Sequence, residues 1–118
     1  MSTPPAIVVA VYDTLTYLLP YIAKMPRSHR FTLGEQLEKQ LFAILEGTIA
    51  AAYTRDRVKI LQGVNLRLEY VRHYLRLAKD IKCLPLQRYE VASRLINGIG
   101  QQLGGWLRAG KTGHAAAS

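Results

Sequence analysis

Three cations in the third apolar stretch of the chain are spaced so that they would share one side of a helix. Arg72, Arg76 and Lys79 follow one another at steps of four and three residues, which places side chains on one helical face. An arginine guanidinium offers a flat fork of donors that suits a phosphate group. These residues therefore indicate binding of a polyanion or an acidic protein, and the alternative is an ordinary solvated helix face.

The charge balance around this basic stripe favours a binding role. The predicted helix over residues 57–82 holds seven Lys or Arg and two acids, and the acids Glu69 and Asp80 are spaced to pair with Arg72 and Arg76. The whole chain has 16 Lys and Arg against 8 Asp and Glu, a net charge of +8. A small chain this basic suits a nucleic acid, an anionic membrane or an acidic protein.

A second basic group lies just before the second predicted helix. Arg27 and Arg30 flank Ser28 and His29 there, and the amides at a helix N-terminus favour an anion. The alternative is that this connector only orders the start of the helix. Thr32 and Glu35 have the spacing of a capping box, which predicts that the helix begins at Thr32.

The residues that could perform catalysis or bind a metal lack the spacing for either. His29, His73 and His114 are scattered, and none has a partner at ligand spacing. The single Cys83 excludes an internal disulfide, a zinc ribbon and a CxxC redox pair. We therefore expect no enzyme activity, no cofactor and no metal, and we expect Cys83 to be a buried or incidental thiol.

Four apolar-periodic stretches must position these residues, and strand signals are nearly absent. The pattern predicts helices over about residues 5–24, 32–53, 57–82 and 86–108, followed by a flexible tail over 109–118 that begins around Gly110. A chain of 118 residues with 49% hydrophobic residues is one domain with a real core. Because the links are short, the predicted fold over residues 1–108 is all-α, an up-down antiparallel four-helix bundle.

The first predicted helix has nearly the length and apolarity of a membrane span. Ala6 to Ala23 is mostly apolar. However, Asp13 lies in the middle of the segment, where an ionisable group is costly in lipid, and no Lys or Arg precedes it as a signal peptide requires. We expect a buried helix, no membrane partner and a cytoplasmic protein.

The third predicted helix carries a second apolar stripe, about 120° around the helix from its core-facing stripe. The core-facing stripe consists of Ile60, Val64, Leu68, Val71, Leu75 and Ala78. The second apolar stripe consists of Leu66, Tyr70, Tyr74, Leu77 and Ile81. It favours an interface between subunits, since tyrosine and leucine are typical of buried interface cores. The alternative is a central helix that touches more than one neighbour within its own bundle.

Three segments of the chain resemble one family of small helical bundles. The first is PRSHRFTLG over residues 26–34, the second is NLRLEYVR with LRLAKD over 65–80, and the third is IGQQLGGWL over 99–107. Together they resemble the Avd proteins, the accessory variability determinants of diversity-generating retroelements, over roughly residues 8–108. A related branch comprises four-helix-bundle proteins encoded in intervening sequences of ribosomal RNA genes.

The resemblance implies a basic homopentameric barrel that binds nucleic acid and the reverse transcriptase of its element. Such a protein has no chemistry of its own and supports the mutagenic copying of a template RNA into cDNA that replaces part of a target gene. Arg72 and Arg76 match arginines of the family's third helix, and Arg67 and Lys79 are the next candidates. The alternatives are the ribosomal branch, with RNA as its partner, and a generic basic protein-interaction bundle.

Overall fold

Four long helices account for most of the protein, for which we describe a computed structural model. Helix α1 spans Ala6–Ala23, α2 spans Glu35–Ala52, α3 spans Val58–Asp80 and α4 spans Leu86–Ala117. The structure describes residues 5–117, with side chains over residues 5–109. Within those residues every regular element is helical, so the predicted all-α fold is confirmed.

The helices pack side by side in chain order, and α4 closes the bundle against α1. Short links between the helices give the up-down arrangement, because each helix must turn back along its predecessor. Each helix contributes one apolar stripe to a single core. The largest fully buried side chains are Leu18, Ile22, Leu37, Leu41, Ile44, Leu61, Leu68, Leu75, Ile96, Ile99 and Leu103.

The basic connector before α2 is helical, and the capping-box prediction was wrong. A helical turn over Arg27–His29 is followed by a π-helical segment over Arg30–Gly34, which runs directly into α2. The Thr32 hydroxyl donates to the carbonyl oxygen of His29 at 3.3 Å instead of accepting from the amide of Glu35. Since the chain is already helical before Thr32, no helix end exists there for a capping box to close.

The far end of α4 also differs from the prediction. The helix continues through Gly110, where the sequence predicted a stop, and ends at Ala117. A glycine inside a helix costs only about 1 kcal/mol relative to alanine, so it does not by itself force a break. The alanines at 115–117 are strong helix formers. Residues 1–4 of the predicted domain and Ser118 of the predicted tail lie outside the described residues.

Helix α1 is long and apolar enough to cross a membrane by length and composition alone, a test that core helices of globular proteins also pass. Six of its residues are buried in the bundle, namely Ile7, Val11, Thr14, Leu15, Leu18 and Ile22. The buried Thr14 hydroxyl donates to the carbonyl oxygen of Ala10 at 2.8 Å, so this polar atom is satisfied within the helix. The apolar side chains of α1 therefore form part of the bundle core.

Candidate partner-binding faces of helix α3

Helix α3 turns one face to the core, and the residues on either side of that face meet different neighbours. The core face is Leu61, Val64, Leu68, Val71, Leu75 and Ala78. The sequence placed Ile60 in this stripe, but Ile60 is only half-buried and Leu61 is fully buried. The basic stripe faces α4, while the second apolar stripe lies on the side of α2.

Arg72 of the basic stripe lines a groove between α3 and α4, and Lys79 contacts Tyr89 at its edge. Arg72 is half-buried, and its guanidinium forms an ion pair with Glu69. The same guanidinium lies directly over Gly100 of α4, where an added Cβ would stand 2.7 Å from Arg72 Nη2. A cavity of about 190 Å³ opens here, lined by Arg72, Leu75, Tyr89, Ser93, Ile96 and Asn97. Because Gly100 has no side chain, the Arg72 guanidinium can lie against the backbone of α4 in the groove.

The two other cations of the stripe differ in how firmly they are held. Lys79 Nζ lies 4.8 Å from the centroid of the Tyr89 ring and 3.3 Å from the Asp80 carboxylate. Arg76 is 73% exposed, and its Nε is 3.9 Å from Asp80. An exposed pair at that distance contributes little, so the Arg76 guanidinium is accessible to a partner.

Three residues of α4 that were not predicted from the sequence also belong to the groove. Tyr89, Ser93 and Asn97 line it beside Arg72. Their four-residue spacing was the available signal, because it puts them on one face of a helix. The sequence does not show that this face meets the basic stripe of α3, so the ring, hydroxyl and amide could not be assigned to the site in advance.

The remaining predicted cations do not line this groove. Arg67 lies on the α2 side of α3, where its Nη1 donates to the buried Gln40 Oε1 at 2.9 Å. Arg30 forms a 2.6 Å ion pair with Glu38, and its guanidinium lies 5.5 Å from the centroid of the Phe31 ring. Arg67 and Arg30 therefore hold structural elements together. Arg27 is exposed in the connector.

The second apolar stripe is largely exposed to solvent. Tyr74 is half-buried against the core, while the other four members are 41–52% exposed: Leu66, Tyr70, Leu77 and Ile81. Helix α3 packs against both α2 and α4, as the alternative predicted, and these contacts leave about half of each of those four side chains exposed. A groove of about 480 Å³ separates the end of the stripe from the connector, with walls of His29, Phe31, Thr32, Leu33, Gln36, Tyr74, Leu77 and Ile81.

In the described part of the chain, the α3/α4 groove gathers groups that can bind anions by charge and hydrogen bonds. The α3/α4 groove presents guanidinium, ammonium, hydroxyl, amide and phenol groups, which together suit phosphates and polar edges. Over the same residues, no three His, Cys, Asp or Glu side chains gather as metal ligands would. Cys83 is buried, as the sequence predicted.

A four-helix bundle with a cationic groove on one side of α3 and a half-exposed apolar stripe on the other places the chain in the class of small all-helical bundle proteins. A protein-family model described as bAvd-like matches residues 6–109, and the chain belongs to this family of Avd-type accessory proteins. Among curated proteins, none matches the chain significantly. The family match confirms the resemblance noted in the sequence and covers the four helices up to Ala109.

Proposed function

We propose that this protein is the accessory protein of a diversity-generating retroelement and binds the element's reverse transcriptase and nucleic acid through the α3/α4 groove. It acts without chemistry of its own, in the cytoplasm, and supports the mutagenic copying of template RNA into cDNA and the return of that cDNA to the target gene. Membership of the bAvd-like family supports this role. The single structural observation behind the site is the Arg72 guanidinium seated over Gly100.

The groove suits a phosphate-bearing partner because part of its charge is already in position. Arg72 is oriented by Glu69, and Lys79 is oriented by the Tyr89 ring. Side chains that are ordered before binding lose less conformational freedom when the partner arrives. Arg76 adds an exposed guanidinium beside them. The net charge of +8 attracts a polyanion from a distance at low salt.

We also propose that the exposed apolar stripe of α3 is the interface between copies of this chain, which the family resemblance implies are five. Leucine and tyrosine side chains of this kind are typical of buried interface cores. A closed ring with more than two copies joins two different surfaces of the same chain. Helices α1 and α2 offer a second set of exposed apolar side chains: Val9, Tyr12, Phe42 and Ile49.

The binding proposal is tested by removing the two arginines of the groove together. The variant Arg72→Ala with Arg76→Ala should weaken RNA binding at least tenfold and reduce the slope of log affinity against log salt by roughly 1 to 2. Fluorescence anisotropy measures the RNA affinity, and pull-down of nuclease-treated reverse transcriptase measures the protein partner separately. Light scattering and circular dichroism should be unchanged.

The matched control is Arg55→Ala with Lys59→Ala, which removes the same charge from exposed positions in the link before α3 and in its first turn. If both double variants weaken RNA and reverse-transcriptase binding equally, total charge matters and the groove is not the site. If the Arg72 and Arg76 variant binds both partners as tightly as the unmodified protein, the site assignment is wrong.

A further inference from the structure

A second group of cations and aromatic rings lies where α1 meets α4, outside the α3/α4 groove. The guanidinium carbon of Arg88 lies 4.7 Å from the centroid of the Tyr21 ring. Lys24 Nζ lies 5.9 Å from the same centroid. Tyr17 packs beside Tyr21, with ring centroids 5.2 Å apart and planes tilted by 50°. This α1/α4 cluster therefore combines two positive charges with two adjacent, tilted phenol rings.

The charges of the cluster are not used for ion pairing within the described part of the chain. The salt bridges found there involve Arg30, Arg72, Arg76 and Lys79, and none includes Lys24 or Arg88. The Tyr17 hydroxyl is buried. Its oxygen is near enough to Arg88 to raise the pKa of that guanidinium above its ordinary value. Arg88 therefore carries its charge at every pH of interest.

The cluster is separate from the α3/α4 groove because α4 stands between them. Arg88 and Tyr89 are consecutive residues, so their side chains leave α4 about 100° apart. Arg88 turns to Tyr21 of α1, whereas Tyr89 turns to Lys79 of α3. Variants in the two places can thus be made and compared independently.

We propose that the α1/α4 cluster binds single-stranded nucleic acid by stacking an unpaired base on the Arg88 guanidinium plane, whose other side packs on the Tyr21 ring, with Lys24 pairing with the adjacent phosphate. Unpaired bases stack on aromatic rings and on arginine planes. In a duplex those base faces are covered by their neighbours, so the cluster discriminates between single and double strands. This inference rests on the proposed nucleic-acid binding. It adds a preference for single strands over duplexes, which a basic groove alone does not provide.

The substitution Arg88→Lys tests stacking directly, because it keeps the positive charge and removes the guanidinium plane. Fluorescence anisotropy with a labelled uridine 20-mer and with a duplex of equal length gives both affinities at one moderate salt concentration. We expect Arg88→Lys and Tyr21→Leu to weaken single-strand binding about 5- to 20-fold. Duplex binding should change less than twofold. The control Arg94→Ala removes a whole charge from an exposed position of α4 and should change both affinities alike.

The possible outcomes separate this inference from the proposed function. If the protein binds RNA through Arg72 and Arg76 but Arg88→Lys and Tyr21→Leu bind single strands normally, the cluster is not a stacking site while the groove stands. If both variants lose single-strand and duplex affinity in equal measure, the discrimination is wrong. If the unmodified protein binds neither the single strand nor the duplex, the proposed nucleic-acid function and this inference fail together. Circular dichroism of each variant checks that the bundle is intact.

Discussion

The two sides of α3 differ in how firmly contacts within the same chain hold their side chains. On the α4 side, Arg72 and Lys79 are each placed by a neighbour, Arg72 by Glu69 and the bare backbone of Gly100, and Lys79 by the Tyr89 ring. On the α2 side, Leu66 is 52% exposed and Tyr70 is 43% exposed. Contacts among the described residues hold Arg72 and Lys79 of the basic side, whereas they leave the apolar side chains about half exposed.

This contrast matters because charge and apolar area behave differently in water. An exposed guanidinium is well hydrated, so a basic groove can remain uncovered until a partner arrives. Exposed apolar side chains in one stripe gain about 25 cal/mol for each Å² that a partner removes from water. The apolar side of α3 should therefore be covered constantly, by a second copy of the chain, while the basic side binds and releases partners. The following experiments test this division of roles.

The largest effect is expected from charging the apolar side. Tyr70→Asp with Leu77→Asp should reduce the native mass from about five chain masses, the number the family resemblance implies, to the 13.2 kDa of one chain. Light scattering in moderate salt on protein freed of nucleic acid measures this. The control Gln87→Asp with Gln101→Asp adds the same charge at exposed positions of α4, away from the stripe. An unmodified protein that is already a 13.2 kDa monomer would exclude the interface.

The next effect concerns the contact of α2 with the core face of α3. A Cβ added at Gly47 would lie 2.5 Å from Val64 Cγ2, so Gly47→Ala should lower the free energy of unfolding by about 1–3 kcal/mol. Gly98→Ala is the matched control, since nothing lies within 4 Å of the added carbon. It should raise the free energy of unfolding by about 0.5–1 kcal/mol. Urea denaturation at one protein concentration compares them, and equal behaviour would contradict the close packing at Gly47.

A smaller effect distinguishes a structural cation from a binding one. Arg67→Ala leaves the buried Gln40 Oε1 without its donor, which should lower the free energy of unfolding by about 1–2 kcal/mol. RNA affinity should stay within twofold, whereas Arg76→Ala should weaken RNA binding without affecting stability. If Arg67→Ala loses as much RNA affinity as Arg76→Ala, Arg67 belongs to the binding site, as the sequence predicted.

The smallest expected effect tests whether the position of Arg72 matters as well as its charge. Gly100→Ala should displace the end of the Arg72 side chain while keeping every charge. Because the guanidinium would then be ordered only on binding, we expect RNA affinity to fall about two- to tenfold. Anisotropy measurements on Gly100→Ala and Gly98→Ala should differ. Equal affinities would mean that the groove needs only net charge at Arg72.

Much of the fold was predictable because apolar periodicity depends only on the helical repeat. The four helices and the core residues Val64, Leu68, Val71, Leu75 and Ala78 follow from it. The helix starts and stops were less predictable, as the π-helical segment before Glu35 and the continuation of α4 past Gly110 show. Such ends involve local free-energy differences of about 1 kcal/mol, which a pattern of residue types does not resolve.

The sequence by itself determined that α3 has a core face, a basic face and a second apolar face, because residue spacing alone decides which side chains share a side of a helix. Only the tertiary structure decided what each basic residue meets. It joined Arg67 to Gln40, 27 residues away, and placed Arg72 over Gly100 of a different helix. The physical reason is that these contacts depend on which faces of two helices pack together, and that choice is made by the fit of the whole core.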